Sequence, residues 1–504
     1  MKNILIYDHY FLSSETLKSK YTNIFSLHGE PHIHCKCEFC LLKKNHVINL
    51  DLPKRFKFQK FDKKVQDTSE INLNKLIVFL NKYHKINLDY RSWKLILWPW
   101  LLSFTSIILE ITTKLQMQDF TKDKKAVIHR ASLHNVIPKN YVHYTELFKG
   151  KYFHNYILSI LAKKHFLDLQ VIEKKTKFSK KVEVSIITRY LRVFFSFFTR
   201  RSKYILFRTY LPLIQRIKIS LKSKSMPVFQ FLIDENFINE KKSLLKLRES
   251  AFDEKDEFLS IIKLLIPSSY LENFKLYYNK SLEVFSNNPK LIYSANAYID
   301  CDLFKIWSAH HLNNVRFIAA QHGGHYGVGK LSFYNKFEYQ VPDFFLSWGW
   351  SDKNFSKIIP IGNWTNEVKN KNYTKKNLLY LIGGGSDKYI CSTISMALGN
   401  QWKKYILDIK KFLNCLKINN AKILIRPYHA KITWENERIY KKVFDDFEIE
   451  KTNKKIEINI SQARLVICTW NSTNFLNLLS SNIPTVTFWD ASFFPIEDKA
   501  NPYL

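Results

Sequence analysis

The segment Gln321-His322-Gly323-Gly324-His325-Tyr326-Gly327 constrains this chain more than any other. It follows a mostly apolar run, Val315 to Ala320, that reads as a buried strand. Glycines after a strand let the backbone take φ > 0 and come close to a ligand. The crevice at the carboxyl ends of parallel strands is where α/β folds bind ligands. Two imidazoles in that turn supply groups suited to acid–base chemistry near neutral pH. The competing reading is a tight turn with two surface histidines.

The strand-then-turn pattern repeats downstream. Leu291 to Ser294, Phe344 to Gly349 and Ile358 to Asn363 each read as a strand ending in a small or polar turn, with a helix around Asp302 to Leu312 between the first two. The lysine-rich run Glu367 to Lys376 marks a boundary, after which the rhythm restarts. Asn377 to Ile382 runs into Gly383-Gly384-Gly385-Ser386, Lys422 to Ile425 into Arg426-Pro427-Tyr428-His429, and Leu465 to Cys468 into Thr469-Trp470-Asn471-Ser472-Thr473. A helix Asn474 to Ser480 and a strand Thr485 to Phe488 follow. The alternation predicts an α/β chain of two Rossmann-like domains. Residues 1–366 form an acceptor-side domain with a helical insertion over about 140–285, and 377–504 form a nucleotide-binding domain. Ile4 to Tyr7 reads as the first strand, with Val127 to His129 and Val171-Ile172 as further short ones.

With 504 residues the chain exceeds a single core, and its 46% hydrophobic content excludes intrinsic disorder as the default. The net charge of +34 invites a nucleic-acid reading. The excess is scattered lysine beside Asn, Ile, Phe and Tyr, the set that AT-rich coding favours, so nucleic acid is not an expected partner. What survives is attraction to phosphates, nucleotides and acidic membranes. Seven scattered cysteines, and an N-terminal apolar run too short for an export signal, point to a reducing cytoplasm. Trp93 to Leu109 is at the short limit for crossing a membrane and reads instead as a buried helix, or a helix pair broken near Pro99. Tyr190 to Lys222 mixes apolar runs with five arginines and reads as a basic amphipathic helix able to lie on an anionic membrane, or as a solvated face over an aromatic core.

Several of these turns carry chemistry. Gly383, Gly384, Gly385 and Ser386 offer backbone N–H groups at a helix start, which suits an anion, although no Walker lysine follows. Arg426 at a strand end, with His429 beside it, can bind phosphate in two-pronged fashion. Ser472 and Thr473 before a helix form a phosphate cradle or an ordinary cap. Asp8 and His9 follow the first strand and suit the acceptor side. The Cys35-Cys37-Cys40 stretch has zinc-ligand types, but crowded within a span that strains tetrahedral closure. No Asp-x-Asp element stands where a metal would be expected, so no metal and no cofactor are expected.

The segments Arg91-Ser92-Trp93 through Trp98-Pro99-Trp100-Leu101-Leu102, Gln321-His322-Gly323-Gly324 with Tyr326-Gly327, and Ser347-Trp348-Gly349-Trp350 together resemble the surface-polysaccharide, O-antigen-type transferases of leptospiral type. Ser472-Thr473 with Pro484 and Trp489 extends the likeness to the tail. More distantly the chain is similar to CDP-glycerol glycerophosphotransferases and capsule Kdo transferases. The resemblance implies a glycosyltransferase-B architecture and a role in O-antigen, capsule or lipopolysaccharide synthesis. It places Arg91, Gln321, Gly323, Gly324 and Tyr326 on the acceptor side. It also implies a ribose-binding glutamate where this chain has Asn477, and further helices beyond Leu504.

The resulting expectation is a cytoplasmic, membrane-peripheral glycosyltransferase. Its partners would be a nucleotide-sugar donor and a glycan or lipid-linked acceptor. His322 is the first choice of base, with His325 or Asp8 as alternates. Gly384, Arg426, Ser472 and Thr473 would hold the donor phosphates. The other readings are a polyol-phosphate transferase of the same architecture, an inactive scaffold of a glycan-assembly complex, and a nucleic-acid-binding protein.

Overall fold

Short apolar runs that end in glycine or polar turns become the strands of three parallel sheets. The computed structural model describes residues 4–7, 23–26, 47–49, 58–117, 126–149, 151–166, 168–174, 186–235, 248, 256–330, 335–364, 373–387, 397–398, 400–416, 421–428, 436–451, 454–471 and 473–503. The first sheet contains β1 (Ile4–Tyr7), β2 (Asn23–Ser26), β3 (Val47–Asn49), β4 (Ala126–Ala131) and β5 (Leu169–Lys174), in the order β3-β2-β1-β4-β5. The second contains β6 (Tyr204–Phe207), β7 (Leu291–Ser294), β8 (Arg316–Ala320), β9 (Phe344–Ser347) and β10 (Ile358–Pro360), laid side by side in chain order. After β11 (Leu378–Ile382), the two-residue strands β12 (Ser386–Asp387) and β13 (Ala397–Leu398) pair with each other. The third sheet joins β11 to β14 (Lys422–Arg426), β15 (Glu448–Ile449), β16 (Ala463–Cys468) and β17 (Thr485–Thr487), in the order β15-β14-β11-β16-β17.

The order of the first and third sheets is that of doubly wound folds, with a switch point between β1 and β4 and another between β11 and β16. Three sheets replace the two that the sequence rhythm suggests. The stretch 140–285 is not a purely helical insertion, because it supplies β5 and β6, the edges of the first and second sheets. A four-residue apolar run such as Tyr204–Phe207 has no periodicity that separates a buried strand from a helix. For the same reason Tyr190 to Lys222 is not one helix. It forms the helix Ile186–Thr199, then β6, then the helix Leu213–Ser223.

The first two sheets share one buried cluster running from Phe61 to Ile358. The helix Tyr90–Gln116 lies within it, started by the Asp89 carboxylate accepting from the Ser92 N–H at 2.8 Å. It runs unbroken through Pro99, contrary to a break there. Proline removes one helical hydrogen bond, and burial of Trp93, Leu97, Trp100, Leu101 and Phe104 on every side outweighs that loss. This helix is long and apolar enough to cross a membrane, and 94% of its apolar window is buried inside the protein.

The third sheet packs on both faces, as a parallel sheet must. Leu381, Ile425 and Ile467 meet Trp402, Tyr405 and Tyr440 on one side, while Tyr380, Leu424 and Val466 meet Phe475 and Leu478 on the other. The segment after β17 returns to the turn that follows β8. Gly329 bridges Ile496, the Glu497 N–H donates to the Val328 carbonyl at 2.8 Å, and the Lys330 N–H donates to the Pro495 carbonyl at 2.9 Å.

Candidate active site

The carboxyl end of β8 faces the carboxyl end of β16. Gln321, fully buried, sets the turn. Its side-chain N–H donates to the Gly323 carbonyl at 2.7 Å, and its Oε1 accepts from the Trp348 backbone N–H at 2.9 Å and the Trp350 indole at 2.8 Å. Gln321 therefore braces the turns after β8 and β9. Gly327 has φ +74°, and a Cβ there would stand 2.6 Å from the Trp350 ring, so only glycine fits. At the tip, the Gly324 N–H donates to Thr473 Oγ1 at 2.8 Å, which joins the turn after β8 to the first residue of the helix Thr473–Ser480. A Cβ on Gly323 would lie 3.0 Å from the same hydroxyl.

His322 stands at the end of β8 with 22% of its side chain open. Burial lowers its pKa from 6.5 to about 4, against the opposing effect of hydrogen bonds to the Ala295 and Ala320 backbones. The ring is therefore neutral at pH 7 and able to accept a proton. The Tyr326 hydroxyl is 3.2 Å from both imidazole nitrogens and donates to Glu338, 2.9 Å from Oε1 and 3.0 Å from Oε2. Tyr298 donates to the same carboxyl at 2.5 Å, and Glu338 Oε2 lies 3.9 Å from His322 Nδ1. Burial raises the Glu338 pKa from 4.5 to about 8, although both tyrosine hydrogen bonds oppose the rise. The unit His322–Tyr326–Glu338 thus pairs a neutral base with a carboxyl that holds its proton at pH 7. The sequence carries no signal for Glu338, which lies on the helix Asn335–Gln340 and meets His322 only in the fold.

Beside His322 a loop follows β6 in an unusual conformation. Arg208 and Tyr210 have φ of 47° and 56°, the left-handed region that non-glycine residues seldom occupy. With Thr209, Leu211, Arg216, Asn296 and Asp300 they line a cavity of about 500 Å³, and the Tyr210 ring centroid is 6.0 Å from that of His322. Arg208 pairs with Asp300, and the Tyr210 hydroxyl accepts from Asn296 at 3.1 Å. Arg216 Nε and Asn296 Oδ1 are buried with no hydrogen-bond partner among the described residues. Strained backbone lining a cavity next to a candidate base is a common mark of a functional site.

His325 is the third left-handed residue here, at φ 73°, and is 6% exposed. Burial lowers its pKa from 6.5 to about 4. Its ring faces Trp470, with centroids 6.0 Å apart. Neither His325 Nδ1, Trp470 Nε1 nor either amide atom of the 1%-exposed Asn471 has a hydrogen-bond partner among the described residues. Buried polar atoms are nearly always paired. A cluster of unpaired ones at a switch point is therefore a candidate for pairing with a polar ligand.

The structure distributes the remaining expected residues differently. Gly383 and Gly384 end β11 at that switch point, but their backbone groups are engaged. The Gly383 N–H donates to the Arg426 carbonyl at 2.9 Å, the Gly384 N–H to the Tyr405 hydroxyl at 2.6 Å, and the Gly384 carbonyl accepts from Tyr440 at 3.2 Å. A Cβ on Gly383 would fall 2.2 Å from the Tyr440 oxygen. Gly385 follows, buried, and Ser386 opens β12. The Arg426 guanidinium bonds Glu450 at 3.0 Å and the Lys454 carbonyl at 3.0 Å in a largely buried ion pair. Asn477 Oδ1 accepts from Asn363 at 3.3 Å. Arg91 binds the Val341 and Leu312 carbonyls and Asp343, residues that precede β9 and β8, so it braces the edge opposite His322. Asp8, His9, the Cys35-Cys37-Cys40 stretch, His429 and Ser472 lie outside the described residues.

Comparison with known families matches residues 33–504 to the family described as LIC12162 family transferase. No curated protein matches the chain.

Proposed function

This chain belongs to the LIC12162 family of transferases, and we propose that it moves a sugar from a nucleotide-activated donor to a cell-surface glycan or lipid-linked acceptor, in a glycosyltransferase-B arrangement. The second sheet carries the acceptor and the third the donor. The observation that carries the reading is the set of unpaired buried groups at the junction, His325 Nδ1, Trp470 Nε1 and the Asn471 amide, where the ends of β8 and β16 meet. The nucleotide sits at the β11–β16 switch point, its polar groups paired by Asn471 and Trp470, with Thr473 and Gly385 at its phosphates and Asn477 toward the ribose. The acceptor occupies the cavity beside Tyr210.

In the transfer step the acceptor oxygen bonds to the anomeric carbon as the bond from that carbon to the phosphate oxygen breaks. The electron pair of the broken bond leaves with the nucleotide, and the acceptor proton passes to His322. Tyr326 and Glu338 are positioning residues that fix the imidazole. The approach of donor phosphates raises the basicity of a histidine whose pKa, lowered mainly by burial, stands at about 4.

A thermal-shift panel of CMP, CDP, UDP and GDP tests this reading, because a ligand that binds only the native state raises the melting temperature. One nucleotide should stabilise the protein. Asn471→Ala should abolish that shift without lowering the melting temperature of the free protein, since Asn471 gives up no partner among the described residues. His322→Ala should keep the shift and lose transfer from the matching nucleotide sugar. A panel without any shift, or full transfer by His322→Ala, would refute the assignment.

A further inference from the structure

Half of the large apolar residues exposed on the described surface, 14 of 28, fall between Ile187 and Leu221. Eight of them form two stripes. On the helix Ile186–Thr199, Ile187, Tyr190, Phe194 and Phe197 recur every three or four residues and face outward. The opposite face is anchored: Phe195 packs on Phe229 and Phe231, and Thr199 Oγ1 donates to the Val284 carbonyl at 2.6 Å. The helix Leu213–Ser223 has no buried residue at all, and Leu213, Ile214, Ile217 and Leu221 form its outward stripe. Exposed apolar surface concentrated in this way marks an interaction site rather than the scatter normal for a protein surface.

The charge of this surface selects the partner. Residues 186–224 contain ten Lys and Arg and no Asp or Glu, and of the ten Arg192 and Arg208 pair with Asp234 and Asp300. Apolar stripes rimmed by cations, on the helices that precede and follow the edge strand β6, match the boundary between headgroups and acyl chains of an anionic bilayer. A protein partner or a second copy of this chain would have to supply a matching acidic and apolar face. The helix Leu213–Ser223 also gives Arg216 to the cavity beside His322. That guanidinium has its Nε unpaired among the described residues.

We propose that the surface formed by the helices Ile186–Thr199 and Leu213–Ser223 docks on an anionic membrane, so that the cavity lined by Arg208, Tyr210 and Arg216 opens at the lipid boundary and takes the anionic headgroup of a lipid-linked acceptor. The second half of this statement rests on the transferase reading above; the docking does not.

Flotation of the full chain with vesicles tests it, using phosphatidylcholine alone and phosphatidylcholine mixed with phosphatidylglycerol. The protein should float with the mixed vesicles and much less with the neutral ones. The triple variant Phe194→Ser/Ile214→Ser/Leu221→Ser should stay at the bottom with both. Lys218→Glu/Lys222→Glu should bind the mixed vesicles at least about 25-fold more weakly, at about fivefold per cation brought to an anionic surface. All the altered positions are exposed, so both variants should keep the parent melting temperature. Equal flotation of the variants and the parent overturns the docking. So does a parent that ignores both vesicles, or one that sediments as a dimer which the apolar substitutions dissociate. Nucleotide shifts measured on the same samples keep the two ideas separate: lost flotation with an intact shift sinks the docking alone, and flotation without any shift sinks the transferase reading, with the headgroup role that rests on it, and leaves the docking standing.

Discussion

Glu338→Gln isolates the least expected feature of the site, a carboxyl that keeps its proton at neutral pH. Glu338 is 2% exposed, and burial moves its pKa from 4.5 to about 8 against two tyrosine hydrogen bonds. In the unfolded chain it ionises at its ordinary value. Between about pH 4.5 and 8 the folded state therefore holds a proton that the unfolded state has lost, and stability falls as pH rises through that window. Above about 8 both states are ionised and the loss levels off. At ~1.4 kcal/mol per pH unit the full span is worth about 5 kcal/mol, an upper bound for a group whose surroundings relax. Glutamine keeps the shape, still accepts from Tyr298 and Tyr326, and titrates in neither state. Urea unfolding of both proteins, followed by tryptophan fluorescence at ~pH 5, ~pH 7 and ~pH 9, should show the variant gaining on the parent by at least about 2 kcal/mol from the lowest to the highest pH. A pH-independent difference would refute the reasoning. It would mean that Glu338 ionises in the folded protein as it does in the unfolded chain.

Three further outcomes follow from the same geometry. Arg426→Ala leaves the 2%-exposed Glu450 side chain without its cation and should cost about 3–5 kcal/mol in denaturant unfolding, with Glu450→Gln added in the same chain recovering part of it. Gly383→Ala drives a Cβ to within 2.2 Å of the buried Tyr440 oxygen and should lower stability by about 1–3 kcal/mol, where a freely tolerated methyl would show that the tyrosine can move away. His325 has its pKa lowered from 6.5 to about 4, so stability is fully present above 6.5 and is lost as pH falls toward 4. His325→Asn, which tolerates a left-handed φ and does not titrate, should lose up to about 3 kcal/mol less than the parent between neutral pH and pH ~4, read by thermal unfolding.

Much of the strand scaffold was legible because its signals are local. Leu291–Ser294, Phe344–Ser347, Leu378–Ile382 and Leu465–Cys468 are apolar runs stopped by small or polar turns, and each lies in a strand at that place. The turn after β8 was legible for the same reason, since adjacent glycines after an apolar run mark the place where a strand gives way to a turn. β6 escaped because its four apolar residues sit between two stretches with helical spacing, and a run that short carries no period. Pro99 misled in the other direction, because its cost is local and the packing that overrides it is not.

The sequence by itself determined many of the strands, where their turns fall, and that imidazoles stand at the end of β8. Tertiary structure alone decided the partners. Arg426 reads as a free phosphate clamp until Glu450 closes on it from the neighbouring strand end, and the Gly384 N–H reads as an anion donor until the Tyr405 hydroxyl takes it. Conversely, Glu338 and Tyr210 stand in no motif and Asn471 drew no role within its turn, yet the fold places the first two beside His322 and leaves the third buried without a partner among the described residues. The physical reason is that backbone conformation follows from neighbouring residues, whereas desolvation and hydrogen-bond pairing depend on groups brought together from distant parts of the chain.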